Sequence, residues 1–150
     1  MIIKRAHKND SPKISEVCFL SKAYWGYSKE QMERWRDDLT IDPGYIQKNE
    51  VFVLVNEDEI IGFYSYFEDK NKSVMLDNVF LLPAFIGKGL GRFLMDDFIQ
   101  RVKNEGYLSI ILHADPHATN FYSKYGFKIM GKKQTSIEGR YMPIMELSLS

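Results

Sequence analysis

The amino-acid sequence predicts an α+β domain built on one mixed, mostly antiparallel sheet that is flanked by helices. Apolar, β-branched stretches separated by short polar turns predict antiparallel neighbours. A buried strand that runs through a glycine-rich turn into an amphipathic helix, and then into another apolar strand, predicts a right-handed parallel crossover. The chain has 150 residues, 45% of them hydrophobic, which is enough for one core but not for two. We therefore expect a single domain over residues 1–150.

Seven apolar runs predict the strands of this sheet. They lie at residues 1–6, 51–55, 60–67, 73–82, 108–112, 127–130 and 142–149. The second and third of these runs are joined by a short polar turn and predict a β-hairpin. Pro143 cannot donate to a ladder, so the last strand is expected to be an edge strand or to contain an early bulge.

Capping residues predict where the helices begin. Such residues stand at Asp10 or Ser11, Ser28, Asp42 and Asp115. The remaining helix follows the glycine-rich turn and is expected to end at Gly106. Helical spacing predicts that one face of the first helix is buried: Ile14, Val17, Cys18, Ser21, Tyr24 and Trp25. Cys18 is accordingly interpreted as a small core residue.

Charge and composition argue against several classes of protein. Lys plus Arg number 20 and Asp plus Glu number 20, so no net charge attracts nucleic acid or an anionic membrane. No apolar run approaches the roughly twenty residues of a membrane span. A single cysteine and an N-terminus without signal-peptide character predict a cytoplasmic protein.

The glycine-rich turn predicts an anion site. Gly87, Gly89 and Gly91 stand where a strand feeds a helix, and the amide groups and the positive dipole of a helix start attract phosphate. A P-loop is excluded because Lys88 is followed by glycine rather than Ser or Thr. A dinucleotide fingerprint fails because Arg92 stands where its third glycine is required. A tight turn without a ligand stays open as an alternative.

Two blocks of sequence resemble the GNAT family of acyl-CoA-dependent N-acetyltransferases. Residues 86–91, preceded by Leu81-Leu82-Pro83, resemble the family's turn motif of Arg or Gln, two residues, Gly, one residue, then Gly or Ala. Residues 115–127 resemble the family segment Asn-x-x-Ala-x-x-Phe-Tyr-x-x-x-Gly-Phe. The chain is thus similar to the small, single-domain, bacterial-type members, whose sheet splays between its two central strands.

The resemblance implies acetyl-CoA as cosubstrate and assigns residues to it. The expected contacts are Val79, Phe80 and Leu81 to the pantetheine, and Gly87, Lys88, Gly89, Leu90, Gly91 and Arg92 to the phosphates. Asp115 is also expected to contact the cofactor. Many family members have Asn at this position, and a carboxylate cannot donate the N–H of that amide, so the alternative is that Asp115 only caps a helix. Ile86 replaces the family's Arg or Gln and cannot donate to phosphate oxygens.

The resemblance also implies a catalytic set. Tyr122 is expected to protonate the leaving thiolate, since a phenol is protonated at neutral pH. Asp77 or His113 is expected to accept the proton of the incoming ammonium. The alternative for Tyr122 is that it is a tyrosine of the hydrophobic core. The alternative for His113 is that it is a hydrogen-bonded histidine at the end of a strand. His113, Asp115 and His117 lack a further ligand cluster, so no metal is expected.

The expected function is direct transfer of acetyl from acetyl-CoA to a primary amine, carried by a small molecule or a peptide, in a ternary complex. A non-catalytic acyl-CoA-binding regulatory module is the main alternative, and a nucleotide-binding protein of another fold is a third. Acceptor choice is expected to depend on aromatic and acidic residues after the first strand: Tyr24, Trp25, Tyr27, Trp35, Glu33, Asp37 and Asp38. A core or dimer-contact role for these aromatics stays open, and so does a homodimer.

Overall fold

The computed structural model describes residues 1–135 and 141–149 of the chain. Its strands are β1 Ile2–Arg5, β2 Glu50–Asn56, β3 Glu59–Glu68, β4 Ser73–Leu81, β5 Ser109–His113, β6 Lys128–Gln134 and β7 Tyr141–Ser148. Its helices are α1 Ser11–Ala23, α2 Lys29–Trp35, α3 Pro43–Lys48, α4 Leu90–Asn104 and α5 Thr119–Ser123. Single 3₁₀ turns lie at Lys8–Asp10, Pro83–Phe85 and Pro116–Ala118. Each predicted strand is therefore present, with its ends shifted by a few residues.

Over the described residues, the strands form one sheet in the order β1-β2-β3-β4-β5-β7-β6. The pairs β1–β2, β2–β3, β5–β7 and β6–β7 are antiparallel, whereas β4 and β5 are parallel. The predicted α+β class and the mixed, mostly antiparallel sheet are thus confirmed. The parallel register ends at the Leu76–Leu112 pair, so the C-terminal half of β4 lies outside this ladder.

The chain divides into two compact units. The first comprises Met1–Tyr66 and Asn78–Ile99, and the second comprises Phe67–Asp77 and Gln100–Ser150. A single domain over residues 1–150 stays a prediction.

The first unit has an apolar core on each face of its strands. On one face, Ile14, Val17 and Cys18 of α1 are fully buried against alternate residues of β2 and β3. This burial confirms the interpretation of Cys18 as a core residue. On the other face, the rings of Phe52 and Phe98 each lie within 5.4 Å of the Tyr64 ring, measured between centroids. The alternation follows from the two-residue period of a strand.

The prediction that one face of α1 is buried is wrong for the last two residues of that face. Tyr24 and Trp25 are 52% and 41% exposed, because the helix ends at Ala23. Gly26 follows in the left-handed region with φ of +86°, a conformation that stops a helix and that glycine adopts without a Cβ penalty. The periodic pattern therefore extends two residues beyond the element that it describes.

Three of the predicted caps form, two of them at α-helices and the third, Asp115, at a 3₁₀ turn. The Ser28 hydroxyl accepts from the Gln31 N–H at 3.1 Å, and the Asp42 carboxylate accepts from the Tyr45 N–H at 2.7 Å. Asp10 makes no side-chain cap to α1; it instead closes a capping box with His7 around the preceding 3₁₀ turn. These contacts satisfy amide groups that a helix start leaves without partners.

Pro143 does not mark an edge strand, since β7 lies between β5 and β6. The strand tolerates proline because the β5 ladder ends one residue away, at the His113–Ile144 pair. The Pro143 carbonyl still accepts a hydrogen bond from the Ala114 N–H at 2.8 Å. The register irregularity of this pair of strands lies in β6, between Ile129 and Gly131.

Gly62 of β3 allows β4 to approach closely. A Cβ at this position would lie 2.7 Å from Leu81 Cδ2 and 2.9 Å from the Phe80 carbonyl oxygen. We expect Gly62→Ala to lower the free energy of unfolding by about 1–3 kcal/mol, since the backbone of β4 must move. Urea denaturation measures this change. The control is Gly131→Ala in β6, whose Cβ would meet Ile144 Cδ1 at an ordinary 3.8 Å; equal stability of the two variants would contradict the prediction.

Candidate functional site

The glycine-rich turn of the first unit has the backbone geometry of an anion site. Gly87 and Gly89 have φ of +86° and +79°, and nothing lies within 4 Å of a Cβ built on either. Glycine is therefore required by the backbone conformation rather than by packing. Helix α4 begins at Leu90, so its first amide groups and the positive end of its dipole lie directly after the turn. Gly91 is already inside the helix.

The side chains around this turn offer positive charge at its surface. Lys88 and Arg92 are exposed, and the Lys88 ammonium lies 5.6 Å from the centroid of the Phe85 ring. Ile86 is half-buried and brings no donor. An anion at this position would therefore be held by backbone amides, with the two exposed cations as additional partners.

The end of β4 leads directly into this turn and is fixed by β3. Val79 and Phe80 are half-buried and Leu81 is buried. The Leu82 N–H donates to the Ile61 carbonyl at 2.8 Å, and the Phe80 ring lies 6.0 Å from the Phe63 ring. The three residues expected to contact the pantetheine are thus held in place from the β3 side.

A polar cluster at β4 was not predicted. The Asn78 amide donates to the Ser65 hydroxyl at 2.9 Å, and the Ser65 and Tyr45 hydroxyls lie 2.9 Å apart. These residues come from β4, β3 and α3, so no local spacing in the sequence connects them. The sequence feature that could have indicated the cluster is Ser65, a serine inside an apolar strand. The structure buries this hydroxyl fully, and a buried hydroxyl requires a hydrogen-bond partner.

In the second unit, Tyr122 lies on α5 and is only 8% exposed. Its ring packs edge-on against Phe121 and Phe127, at centroid distances of 5.2 and 5.7 Å. Burial raises the pKa of its hydroxyl well above the ordinary value, and the charge of Asp115 raises it further. The phenol is therefore protonated at neutral pH, and its full ionisation is opposed.

Asp115 is a capping residue in this structure. Its Oδ1 accepts from the His117 N–H at 2.9 Å and lies 3.0 Å from the His117 ring nitrogen Nδ1. The cap starts the 3₁₀ turn Pro116–Ala118, which precedes the short helix α5. The helix predicted to start after Asp115 therefore begins as this 3₁₀ turn and continues without a gap as α5. A contact between Asp115 and the cofactor stays a prediction.

His113 is the last residue of β5 and is half-buried. Burial is the main cause that lowers its pKa below the ordinary 6.5, and the charge of Lys133 lowers it further. The carboxylates of Asp77 and Asp69 act in the opposite direction. The imidazole is therefore mainly neutral near pH 7 and can accept a proton. Asp77, the other candidate base, is exposed on β4 and close enough for its charge to influence this ring.

No three His, Cys, Asp or Glu side chains come together as a metal-binding group in residues 1–135 and 141–149. Within the same residues, no helix combines the length and the apolar character that crossing a bilayer requires.

The residues expected to select the acceptor lie in the first unit. Tyr24 and Trp25 are exposed, whereas Tyr27 and Trp35 are half-buried and meet edge to face at 4.8 Å between centroids. Glu33 forms a two-point ion pair with Arg36, at 2.7 and 3.0 Å. The carboxylate of Glu33 is thus already paired with a cation of its own helix end.

Comparison with known sequences shows that the chain is similar to acetyltransferases. The family model described as "Acetyltransferase (GNAT) domain" matches residues 25–149. An uncharacterized N-acetyltransferase, ycf52 of Gracilaria tenuistipitata var. liui, is 30% identical over 89 residues, which are 59% of this chain and 49% of that protein. Its counterpart from Porphyra purpurea is 30% identical over 82 residues, or 55% of this chain and 44% of that protein. The chain thus spans about half the length of the curated relatives that it matches.

Comparison with solved structures shows the same fold over nearly the whole chain. The PaiA N-acetyltransferase of Thermoplasma acidophilum, in complex with coenzyme A, superposes with a TM-score of 0.81 at 22% identity and covers 98% of each chain. An aminoglycoside 6'-N-acetyltransferase complexed with coenzyme A has a TM-score of 0.75 at 16% identity and covers 100% of this chain and 98% of its own. The fold predicted from the resemblance is confirmed.

The lowered pKa of His113 makes stability depend on pH. As the pH falls below 6.5, the unfolded chain takes up a proton that the folded imidazole still resists. The unfolded state then binds more protons, so the free energy of unfolding decreases with falling pH. We expect His113→Gln to flatten this decrease in urea melts at about pH 7.5 and about pH 5.5, and Lys133→Gln to flatten it less. An unchanged pH dependence in His113→Gln would contradict the assignment; the control is His7→Gln, at an exposed histidine.

Proposed function

The chain belongs to the GNAT acetyltransferase family, and from this premise we propose that it transfers an acetyl group from acetyl-CoA to a primary amine. The observation that carries the proposal is the left-handed backbone at Gly87 and Gly89, directly before the start of α4. That geometry suits a diphosphate. The two structural neighbours that are complexed with coenzyme A support the same cosubstrate.

The proposed cofactor site lies along the chain from β4 to α4. The diphosphate is held by the amides of residues 87–91, and Lys88 and Arg92 neutralise its charge. The pantetheine runs along Val79, Phe80 and Leu81 as an additional strand would. Because Ile86 brings no donor, the site depends on its backbone amides more strongly than the family motif requires.

The proposed reaction is direct attack of the amine on the thioester. The nitrogen forms a bond to the carbonyl carbon, the tetrahedral intermediate collapses, and the carbon–sulfur bond breaks. The ammonium must first lose a proton, and neutral His113 is better suited to accept it than exposed Asp77, which is the alternative base. Tyr122 supplies a proton to the departing sulfur, the second proton of the attacking nitrogen restores the neutral phenol as the amide forms, and an amide near Leu81 polarises the carbonyl.

The raised pKa of Tyr122 supports a proposal for how this proton moves. A phenol is already a weaker acid than a thiol, with reference pKa values near 10 and 8.5, and burial widens the gap. A free tyrosinate is therefore disfavoured. The hydroxyl donates a hydrogen bond as negative charge develops on sulfur, and the proton moves only as the carbon–sulfur bond breaks.

The same observation favours one alternative function. A tyrosine that resists ionisation, together with Ile86 in the turn, suits a protein that binds acyl-CoA without transferring the acyl group. Thiol release from acetyl-CoA in the presence of a broad panel of amines separates the two functions: an enzyme releases coenzyme A, and a binding module does not.

The proposal covers the acceptor only as a class, a primary amine on a small molecule or a peptide. A cytoplasmic location, a homodimer and the absence of nucleic-acid and membrane partners stay predictions.

Gly89→Ala should weaken binding of coenzyme A about tenfold, because alanine disfavours the left-handed backbone that exposes the amides. Isothermal titration calorimetry measures the dissociation constant. Gly106→Ala is a matched control, since Gly106 also has a positive φ, +89°, with open space around its Cβ, and it follows the other end of α4. Both variants should lose similar stability, but only Gly89→Ala should lose affinity; equal affinities would remove the turn from the cofactor site.

Tyr122→Phe should reduce kcat at least about tenfold while leaving the dissociation constant of acetyl-CoA nearly unchanged, because only the proton donor is removed. Steady-state thiol release and calorimetry provide the two measurements. Tyr125→Phe removes a hydroxyl from the same segment and should keep wild-type turnover. Unchanged kcat in Tyr122→Phe would exclude its acid role.

A further inference from the structure

Two aromatic rings of the first unit converge on one ammonium group. The Lys22 Nζ lies 5.2 Å from the centroid of the Tyr27 ring and 5.2 Å from that of the Trp35 ring. The two rings are 4.8 Å apart with an interplanar angle of 78°. A cation within about 6 Å of an aromatic face is attracted by the ring quadrupole, and two faces act together.

The rings and the cation come from three different places in the chain. Tyr27 follows the left-handed Gly26 in the connection between α1 and α2, and Trp35 is the last residue of α2. Lys22 lies in the last turn of α1 and reaches the rings through a flexible four-carbon stem. The two rings thus come from one segment of the chain, whereas the ammonium beside them comes from the side chain of another. We call Tyr27 and Trp35 the aromatic pair.

We propose that the aromatic pair is a binding site for an alkylammonium group of the acceptor, and that Lys22 occupies it when no acceptor is present. This inference rests on the proposed acetyl transfer and names the class of amine that undergoes it. Recognition of an ammonium by aromatic faces requires no hydrogen bond and therefore accepts primary and quaternary nitrogens alike. Lys22 competes as a tethered ligand, with an effective concentration of the order of millimolar.

The chemistry of the site restricts the acceptor further. A nitrogen that attacks a thioester must be neutral, whereas aromatic faces stabilise a nitrogen in its charged form. The nitrogen bound by the aromatic pair is therefore not the nitrogen that becomes acetylated. The acceptor accordingly carries at least two basic centres, one held as a cation and the other free to lose its proton.

The test uses a ligand that contains a cation and no acetylatable nitrogen. Choline and its uncharged carbon isostere, 3,3-dimethylbutan-1-ol, are titrated into the protein without acetyl-CoA, and the indole N–H signal of Trp35 is followed by NMR. The chain has two tryptophans, so Trp25→Phe assigns the signal. In Lys22→Met, which keeps the stem but removes the charge, choline should bind about tenfold more tightly than to the wild type. The control Lys29→Met, at an exposed lysine of α2, should match the wild type.

Removal of a ring should abolish the choline response in the Lys22→Met background. Tyr27→Leu is the first choice for this purpose, because Trp35 then stays in place as the reporter. If Tyr27→Leu does not fold, Trp35→Leu removes the other ring, and choline binding is then measured by calorimetry instead of on the Trp35 signal. In turnover assays, Lys22→Met should lower KM for diamines about tenfold without changing kcat, and should leave KM for monoamines unchanged.

The proposal is overturned if choline binds Lys22→Met no more tightly than the wild type, or if the uncharged isostere binds as well as choline. It is equally overturned if KM for diamines and monoamines changes to the same extent. Because the choline titration contains no acetyl-CoA, its failure leaves the proposed acetyl transfer intact. Failure of coenzyme A to bind in calorimetry would instead remove the proposed transfer while leaving an ammonium site in place.

Discussion

The local structure of the candidate cofactor site depends on a short stretch of left-handed backbone between β4 and α4. Gly87 and Gly89 adopt positive φ in open surroundings, where a side chain would meet no neighbour. The conformation itself therefore selects glycine, since an L-residue there is strained. Its consequence is that a fifteen-residue helix begins directly after the turn, where the first amides of the helix have no partner within it. Ile86 does not alter this backbone geometry, and the proposed phosphate contacts come from backbone amides rather than from the side chain that precedes them.

Burial favours the neutral form of both proposed proton-transfer groups of the second unit. It raises the pKa of Tyr122 and lowers that of His113, so both groups are held in their neutral forms near pH 7. A neutral imidazole can take a proton from an ammonium, and a neutral phenol can offer one to a thiolate. Desolvation thus prepares the starting protonation state of each group, and it also opposes the charged product. In the proposed reaction, proton movement coupled to carbon–sulfur cleavage avoids a free tyrosinate, whereas the proton that His113 accepts before the attack gives a charged imidazolium.

Sequence patterns predicted the elements of this fold better than their ends and their contacts. The period of 3.6 residues placed Ile14 and Cys18 in the core, but it also included Trp25, because periodicity does not register the helix stop that Gly26 imposes. Pro143 indicated an edge strand, since a sequence does not show that a neighbouring ladder ends one residue away. The glycine turn was predictable because its residues are contiguous. The cluster of Ser65 with Asn78 was not, since it depends on the register between strands.

The aromatic pair and the proposed catalytic groups impose opposite requirements on nitrogen. His113 favours an acceptor nitrogen that has lost its proton, whereas Tyr27 and Trp35 favour one that keeps its charge. A simple monoamine can satisfy only one of these requirements at a time, and its binding as a cation would compete with its reaction. A molecule with two separated basic centres has one nitrogen that can keep its charge and another that can lose its proton. In this proposal Lys22 acts as a tethered competitor, which would make the aromatic pair selective for ligands whose second charge binds strongly enough to displace it.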